Sequence, residues 1–298
     1  MSPHSSIKKN GDHTLFVKQQ LLLTAGGLLL LIAMLFGKIE TPISTPPHSE
    51  SGTTAFNIND LLKRSKVKLP ESQLSYVAHL ENQVSRGDVK GQTIKQYQLL
   101  AAFWKDSAKI FEPYAYYMAE SAKLENSEKS LTFAARLMLD KLRGEPDNSV
   151  KIWEAESAID LFQRALQLNP ENVDLKVGLG SCYVYGKGMI GDATETMKGI
   201  QQLLQVVKED SSNMKAQMVL GIGGVVSRQY EKAIERLKKV VKAEPGNLEA
   251  VSWLADAFAD TGDKVNATRW YEYSKKLVNN SEFSKEVDER IKTLNTGQ

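Results

Sequence analysis

The chain has one cysteine, Cys182, in 298 residues, so it can form neither an internal disulfide nor a cysteine-rich metal site. Histidine is nearly as sparse. His4, His13, His48 and His79 include no pair at metal-ligand spacing, and no metal site is expected. A large excess of one charge is also missing. The formal net charge of +2, from 38 Lys and Arg against 36 Asp and Glu, lacks the strongly basic balance of most nucleic-acid binders, and no nucleic-acid partner is expected. Long alternating runs of β-branched residues are absent beyond residue 60, which argues against a sheet. No Ser/His/Asp or Cys/His set is assembled. The sequence therefore names no catalytic residue and implies no cofactor, and the chain is expected not to be an enzyme.

Long hydrophobic runs are confined to one. Residues 21–36, LLLTAGGLLLLIAMLF, carry no charge, and with their neighbours at 19–37 they approach the roughly 20 residues that span a bilayer. A buried core helix or the apolar part of a cleaved signal peptide would share this pattern. No small-x-small cleavage pattern follows the run, however, so an uncleaved anchor is the expected reading. Lys8, Lys9 and Lys18 precede it, whereas Lys38 stands against Glu40 and Glu50 after it. By the positive-inside rule the tail at 1–18 is cytoplasmic and the rest of the chain is extracytoplasmic, in a periplasm if bacterial. Residues 38–58 are rich in Pro, Ser, Thr and Gly and read as a flexible linker.

From residue 59 onward apolar residues recur at intervals of three and four, and prolines fall between the periodic segments, so this region is expected to be all-α. It also repeats itself. Leu179-Gly180, Leu220-Gly221 and Leu254-Ala255 share one column, and Ala158, Gly199, Ala233 and Ala267 share another. Four residues later stand Phe162, Leu203, Leu237 and Tyr271, and Pro170 and Pro245 occupy equivalent turns. The period between Met214 and Leu248 is 34 residues. The unit is a helical hairpin: small residues allow its helices to cross closely, large ones fill the gap to the next hairpin, and proline ends the helix.

These columns resemble the tetratricopeptide repeat family, strongly over 173–280 and more loosely over 114–172. The resemblance implies an α-solenoid of antiparallel hairpins at 112–280 with a cap helix at 281–298. Residues 59–111 read as a degenerate first hairpin. The architecture is also similar to membrane-anchored repeat subunits of c-type cytochrome maturation and to repeat proteins ancillary to the secretion translocon.

Gly186, Gly188 and Gly191 spell G-x-G-x-x-G, which in a dinucleotide site follows a strand and opens a helix. Here the glycines follow a repeat helix. The distance from Tyr183 to Gly199 exceeds that of the uninterrupted repeat by seven residues, so 186–192 is an inserted loop, either a plain spacer or a partner contact. Arg86-Gly87-Asp88 reads as turn chemistry. Asn266 and Asn279 begin glycosylation sequons, but Asn266 falls at a helix start, where it has capping value.

The resemblance implies that the first helix of each hairpin lines a peptide-binding groove. Its usual positions map onto Val177, Ser181, Val184 and Tyr185, then Met218, Ile222 and Val225, then Asp256 and Asp260. The groove is expected to be apolar in the middle and acidic toward its C-terminal end, suited to amphipathic helices or apolar peptides with basic ends. Burial of some of these residues against neighbouring helices is the alternative. Gly223 and Gly224 lie outside the repeat pattern and imply room for a neighbour or a ligand. The chain is thus expected to be a membrane-tethered scaffold for segments of partner proteins. A cytosol-facing organelle receptor, or a non-catalytic subunit of a membrane complex, stays open beside it.

Overall fold

The computed structural model describes residues 56–86, 89–278 and 280–296. Among them the chain forms thirteen α-helices and no strand. Helices α1 (Ile58–Val67) and α2 (Glu71–Ser85) precede the hairpin of α3 (Lys90–Ala102) and α4 (Phe111–Glu125). The next hairpins are α5 (Glu128–Leu142) with α6 (Asn148–Leu168), and α7 (Val173–Tyr185) with α8 (Ala193–Glu209). They are followed by α9 (Met214–Val226) with α10 (Tyr230–Ala243), and α11 (Leu248–Asp260) with α12 (Lys264–Leu277). Helix α13 (Ser281–Thr296) packs on α12 and closes the row.

The helix starts are set locally by short polar side chains. Asn172, Asn213 and Asn247 cap the first helices α7, α9 and α11, each accepting a bond from the backbone N–H three residues on. Asp147, Asp192 and Asp263 do the same for the second helices α6, α8 and α12. Each cap satisfies an N–H that has no partner within its helix, an effect worth ~1 kcal/mol.

Glycines and large side chains then fix how the helices meet. A Cβ on Gly180 would lie 2.7 Å from Leu203, and one on Gly221 would lie 2.7 Å from Leu237. The leucine therefore fills the space over the glycine of its own hairpin, where a role between hairpins was expected. Phe162 does reach across a hairpin boundary, its ring occupying the place of a Gly178 Cβ. Leu179, Ala158, Phe162, Leu220, Ala233 and Ala267 are all buried in one apolar core that extends from Ala115 to Val287. Pro245 is exposed in the α10–α11 loop. Gly223 makes room for Ile200 and Gly224 for Ala233, so their neighbour is the protein itself.

The N-terminal part departs from expectation. Residues 59–111 do not form a single hairpin: they hold three helices, and the third, α3, pairs with α4 beyond residue 111. The chain turns there through a π-helical segment, Phe103–Ala108, and Lys109 in the left-handed region. A second apolar cluster, including Leu62, Val77, Leu80, Leu100, Trp104 and Tyr117, holds α1 to α4 together. Helix α4 serves both clusters, with Ala115, Ala119 and Ala122 in the larger and Tyr117 in the smaller. Glu81 adds a polar bridge, accepting from Tyr117 and pairing with Lys66.

The expected tail and anchor, and the linker up to residue 55, lie outside the described residues, as do Gly87, Asp88 and Asn279. The end of the linker does not stay apart from the fold, because the Phe56 ring lies 5.2 Å from that of Trp153 on α6. Among the described residues no helix is long and apolar enough to cross a membrane.

Candidate functional site

The repeat stacks first helix against first helix, and between α5, α7 and α9 this leaves a groove of about 360 Å³. Its apolar lining consists of Leu139, Phe162, Val177, Gly178, Met218 and Val219. Arg136, Asp140, Arg143, Asp174, Ser181 and Lys215 complete it. Phe162 comes from the second helix α6 and reaches the groove because Gly178 has no side chain in its way.

Much of the polar lining is paired. Asp174 faces Arg136 and Lys215 at 3.8 Å each, joining α5, α7 and α9. These are exposed pairs, worth about 0–1 kcal/mol. A second bridge spans a longer distance. The Arg143 guanidinium lies 4.9 Å from the centre of the Tyr185 ring and pairs with Glu249 on α11 at 3.3 Å. The Tyr185 hydroxyl donates to the same carboxylate at 2.9 Å. Burial, more than the neighbouring Glu249 charge, raises the Tyr185 pKa, with Arg143 opposing. The phenol is therefore a hydrogen-bond donor at any physiological pH.

Of the expected contact residues, Val177, Ser181 and Met218 line the groove. Val177 and Met218 are only 6% and 9% exposed, and the Ser181 hydroxyl is spent on the Val177 carbonyl at 2.7 Å. The other apolar assignments need correction. Val184 and Ile222 are fully buried, and Tyr185 and Val225 retain 2% and 7% exposure. Val184 packs where α7 meets Gly199 of α8 and Gly223 of α9, so it has no surface for a ligand. Tyr185 is held between Arg143 and Glu249. The expected acidic end is also altered. Asp256 accepts from the Tyr271 hydroxyl at 2.5 Å and pairs with Arg290 of the cap helix at 3.4 Å. It therefore already has its positive partner. Asp260 is exposed but is not part of the groove lining.

The contribution of α5 was missed. Counting the first-helix positions nine, twelve and thirteen from Glu128 leads to Arg136, Leu139 and Asp140. The same register applied one hairpin earlier would have found them. The inserted loop at 186–192 contains a short 3₁₀ turn, Gly188–Ile190, and ends at the Asp192 cap. Gly186 lies against Ala155, where a Cβ would come within 2.4 Å, and Gly191 takes a positive φ of 93°. The glycines thus serve a close approach to α6 and a turn between helices. Among the described residues no group of acidic, His or Cys side chains could hold a metal.

A row of helical hairpins with a first-helix groove defines a helical-repeat solenoid. A tetratricopeptide repeat model matches residues 225–281, and the α7–α8 hairpin before that segment shares the same small-residue and capping devices. A curated relative, a Haemophilus influenzae protein named for cytochrome c-type biogenesis (CcmH), is 22% identical over 181 residues, 55% of this chain. The match spans 38% of that relative's length. Among solved structures, a MamA fragment from Desulfovibrio magneticus RS-1 is 18% identical with a TM-score of 0.45, over 62% of this chain and 94% of that one. A thermophilic TPR protein of Thermus thermophilus is 13% identical with a TM-score of 0.49, over 67% and 98%.

Proposed function

We propose that the chain is a non-catalytic scaffold that holds a segment of a partner protein against the first-helix groove, tethered to a membrane through residues 19–37. One observation carries the scaffold reading. The groove has an apolar floor framed by charged side chains from three successive hairpins, a surface that fits an amphipathic helix or an apolar peptide better than a small polar substrate. The apolar run at 19–37 and the lysines before it support the tether, with the repeats on the extracytoplasmic side. The partial likeness to a protein named for cytochrome c-type biogenesis points to the assembly of exported proteins as the setting. A tether raises the local concentration of the groove for segments emerging at that membrane.

The test is site-specific photo-crosslinking in cells, with benzoylphenylalanine replacing Lys215 at the groove rim or, as a control, Val265, which is 81% exposed. A discrete partner segment should crosslink at position 215, not at 265, and should be lost when Met218→Glu is added to a folded chain. No adduct at 215 above the control would defeat the scaffold reading. Protease protection of the same cells decides the tether, because repeats degraded only after the outer compartment is opened match the proposed topology. Digestion from the cytosolic side would favour an organelle-surface receptor.

A further inference from the structure

A second concavity lies between the second helices α10 and α12, sharing no residue with the groove. It measures about 480 Å³ and its cationic lining is Lys238, Lys242, Arg269 and Lys276. No carboxylate contributes to it. Trp270 and Tyr273 stand in an edge-to-face pair, ring centres 5.8 Å apart. The Tyr273 hydroxyl donates to the Pro245 carbonyl at 3.2 Å, holding the α10–α11 loop at one end of the cleft.

Two lysines beside the cleft are already paired with acids. Lys239 pairs with Glu235, and Lys275 pairs with Glu272 and Asp288. Among the described residues none of the four cations of the cleft is in an ion pair, although all four are exposed. Of the nearby acids, Glu244 accepts from Asn247, and Asp263 caps α12, its pKa lowered chiefly by its bonds from Asn266 with Lys238 adding a smaller share. Four like charges around one hollow repel each other, and a bound anion removes that repulsion.

We infer that this cleft is a second binding site, for an acidic peptide segment carrying an aromatic or aliphatic anchor residue. The four cations meet the carboxylates, while Trp270, Tyr273 and the hydrocarbon stems of the lysines receive the anchor. The shape disfavours other anions. Trp270 and Tyr273 are half-buried in a concave surface, so they do not project as wedges into a bilayer. The volume is larger than one phosphate or carboxylate fills. The site is independent of the groove, so the two could hold different segments of one partner.

The experiment is fluorescence anisotropy on the full-length chain. The probe is a fluorescein-labelled peptide of glutamates around one central phenylalanine, and the control peptide has lysines for the glutamates. The acidic peptide should bind and the lysine peptide should not, and affinity should fall as salt rises. Lys242→Glu with Arg269→Glu should weaken binding by about tenfold or more, whereas Met218→Glu in the groove should leave it unchanged. The milder pair Lys242→Gln and Arg269→Gln should give a smaller loss, and keeps the test valid if charge reversal disturbs folding. Equal affinity in the charge-reversed chain would overturn the site. So would binding of phosphatidylglycerol vesicles or oligothymidylate that depends on Lys242 and Arg269 while the acidic peptide shows none.

Discussion

Glu154 lies inside α6 with its side chain fully buried, and neither carboxyl oxygen has a hydrogen-bond partner. Burial is the main cause of its raised pKa; Glu145 and Glu112 add to it, and Lys141 and Lys151 oppose. The carboxyl is pushed from 4.5 up to about 8, so near neutral pH it is mostly protonated in the folded chain and ionised in the unfolded one. Below about pH 4.5 both states hold the proton and stability is greatest with respect to this group. As pH rises toward 8, the unfolded chain loses its proton first and is favoured by about 1.4 kcal/mol per pH unit. The loss is about 3 kcal/mol between pH 5 and 7, and about 5 kcal/mol over the whole window, against a typical total of about 5–15 kcal/mol. Urea denaturation at pH 5, 6, 7 and 8 of the parent and of Glu154→Gln measures it directly. The variant should lose this slope. Its partnerless amide costs about 1–3 kcal/mol at every pH, which displaces the curve without tilting it. Parallel pH profiles for parent and variant would refute the reasoning, as would a Glu154→Leu chain that keeps the parent's slope.

The same glycine-to-alanine change should have opposite signs at two sites. At Gly199 the new Cβ would lie 2.7 Å from the Gly180 carbonyl oxygen, a backbone atom that cannot move alone. Overpacking of ~1–3 kcal/mol should outweigh the propensity gain and lower the melting temperature. Gly91 has open space around its Cβ position, so Gly91→Ala should stabilise by about 0.5 kcal/mol, and thermal melts compare the two. Cys182 is fully buried, and burial pushes its thiol well above the ordinary range despite the attraction of Arg143. Ellman's reagent should therefore modify it only as fast as the chain unfolds; rapid labelling of the folded chain would contradict that burial.

The repeat was legible because it is written in local chemistry. Small residues at 180 and 221, large ones at 162, 203 and 237, and the turn proline at 245 recur at the helical spacing, and the structure buries the small and large ones at helix contacts. The inserted loop could be placed because the period fails there by a fixed length. The N-terminal hairpin was misjudged for the same reason: residues 59–111 lack the columns, and α3 and α4 share a cluster in which Leu100, Trp104 and Tyr117 join Leu62 of α1 and Val77 of α2.

Site residues were less legible than the fold. A position in the first helix tells which way a side chain leaves its own axis, but not how closely the next helix approaches. Glycines at 199 and 223 bring α8 and α9 in against α7, and Val184 is enclosed as a result. The hairpins from α7 onward and the 34-residue period were determined by the sequence alone, since each rests on interactions within about forty residues of chain; the cap of α12 is Asp263, not Asn266. Which groove positions stay open, which charges are already answered by Arg143, Glu249 or Arg290, and where four cations gather without a carboxylate were decided only by the tertiary structure. Those properties depend on distances between side chains of different helices, which arise only when the repeats stack.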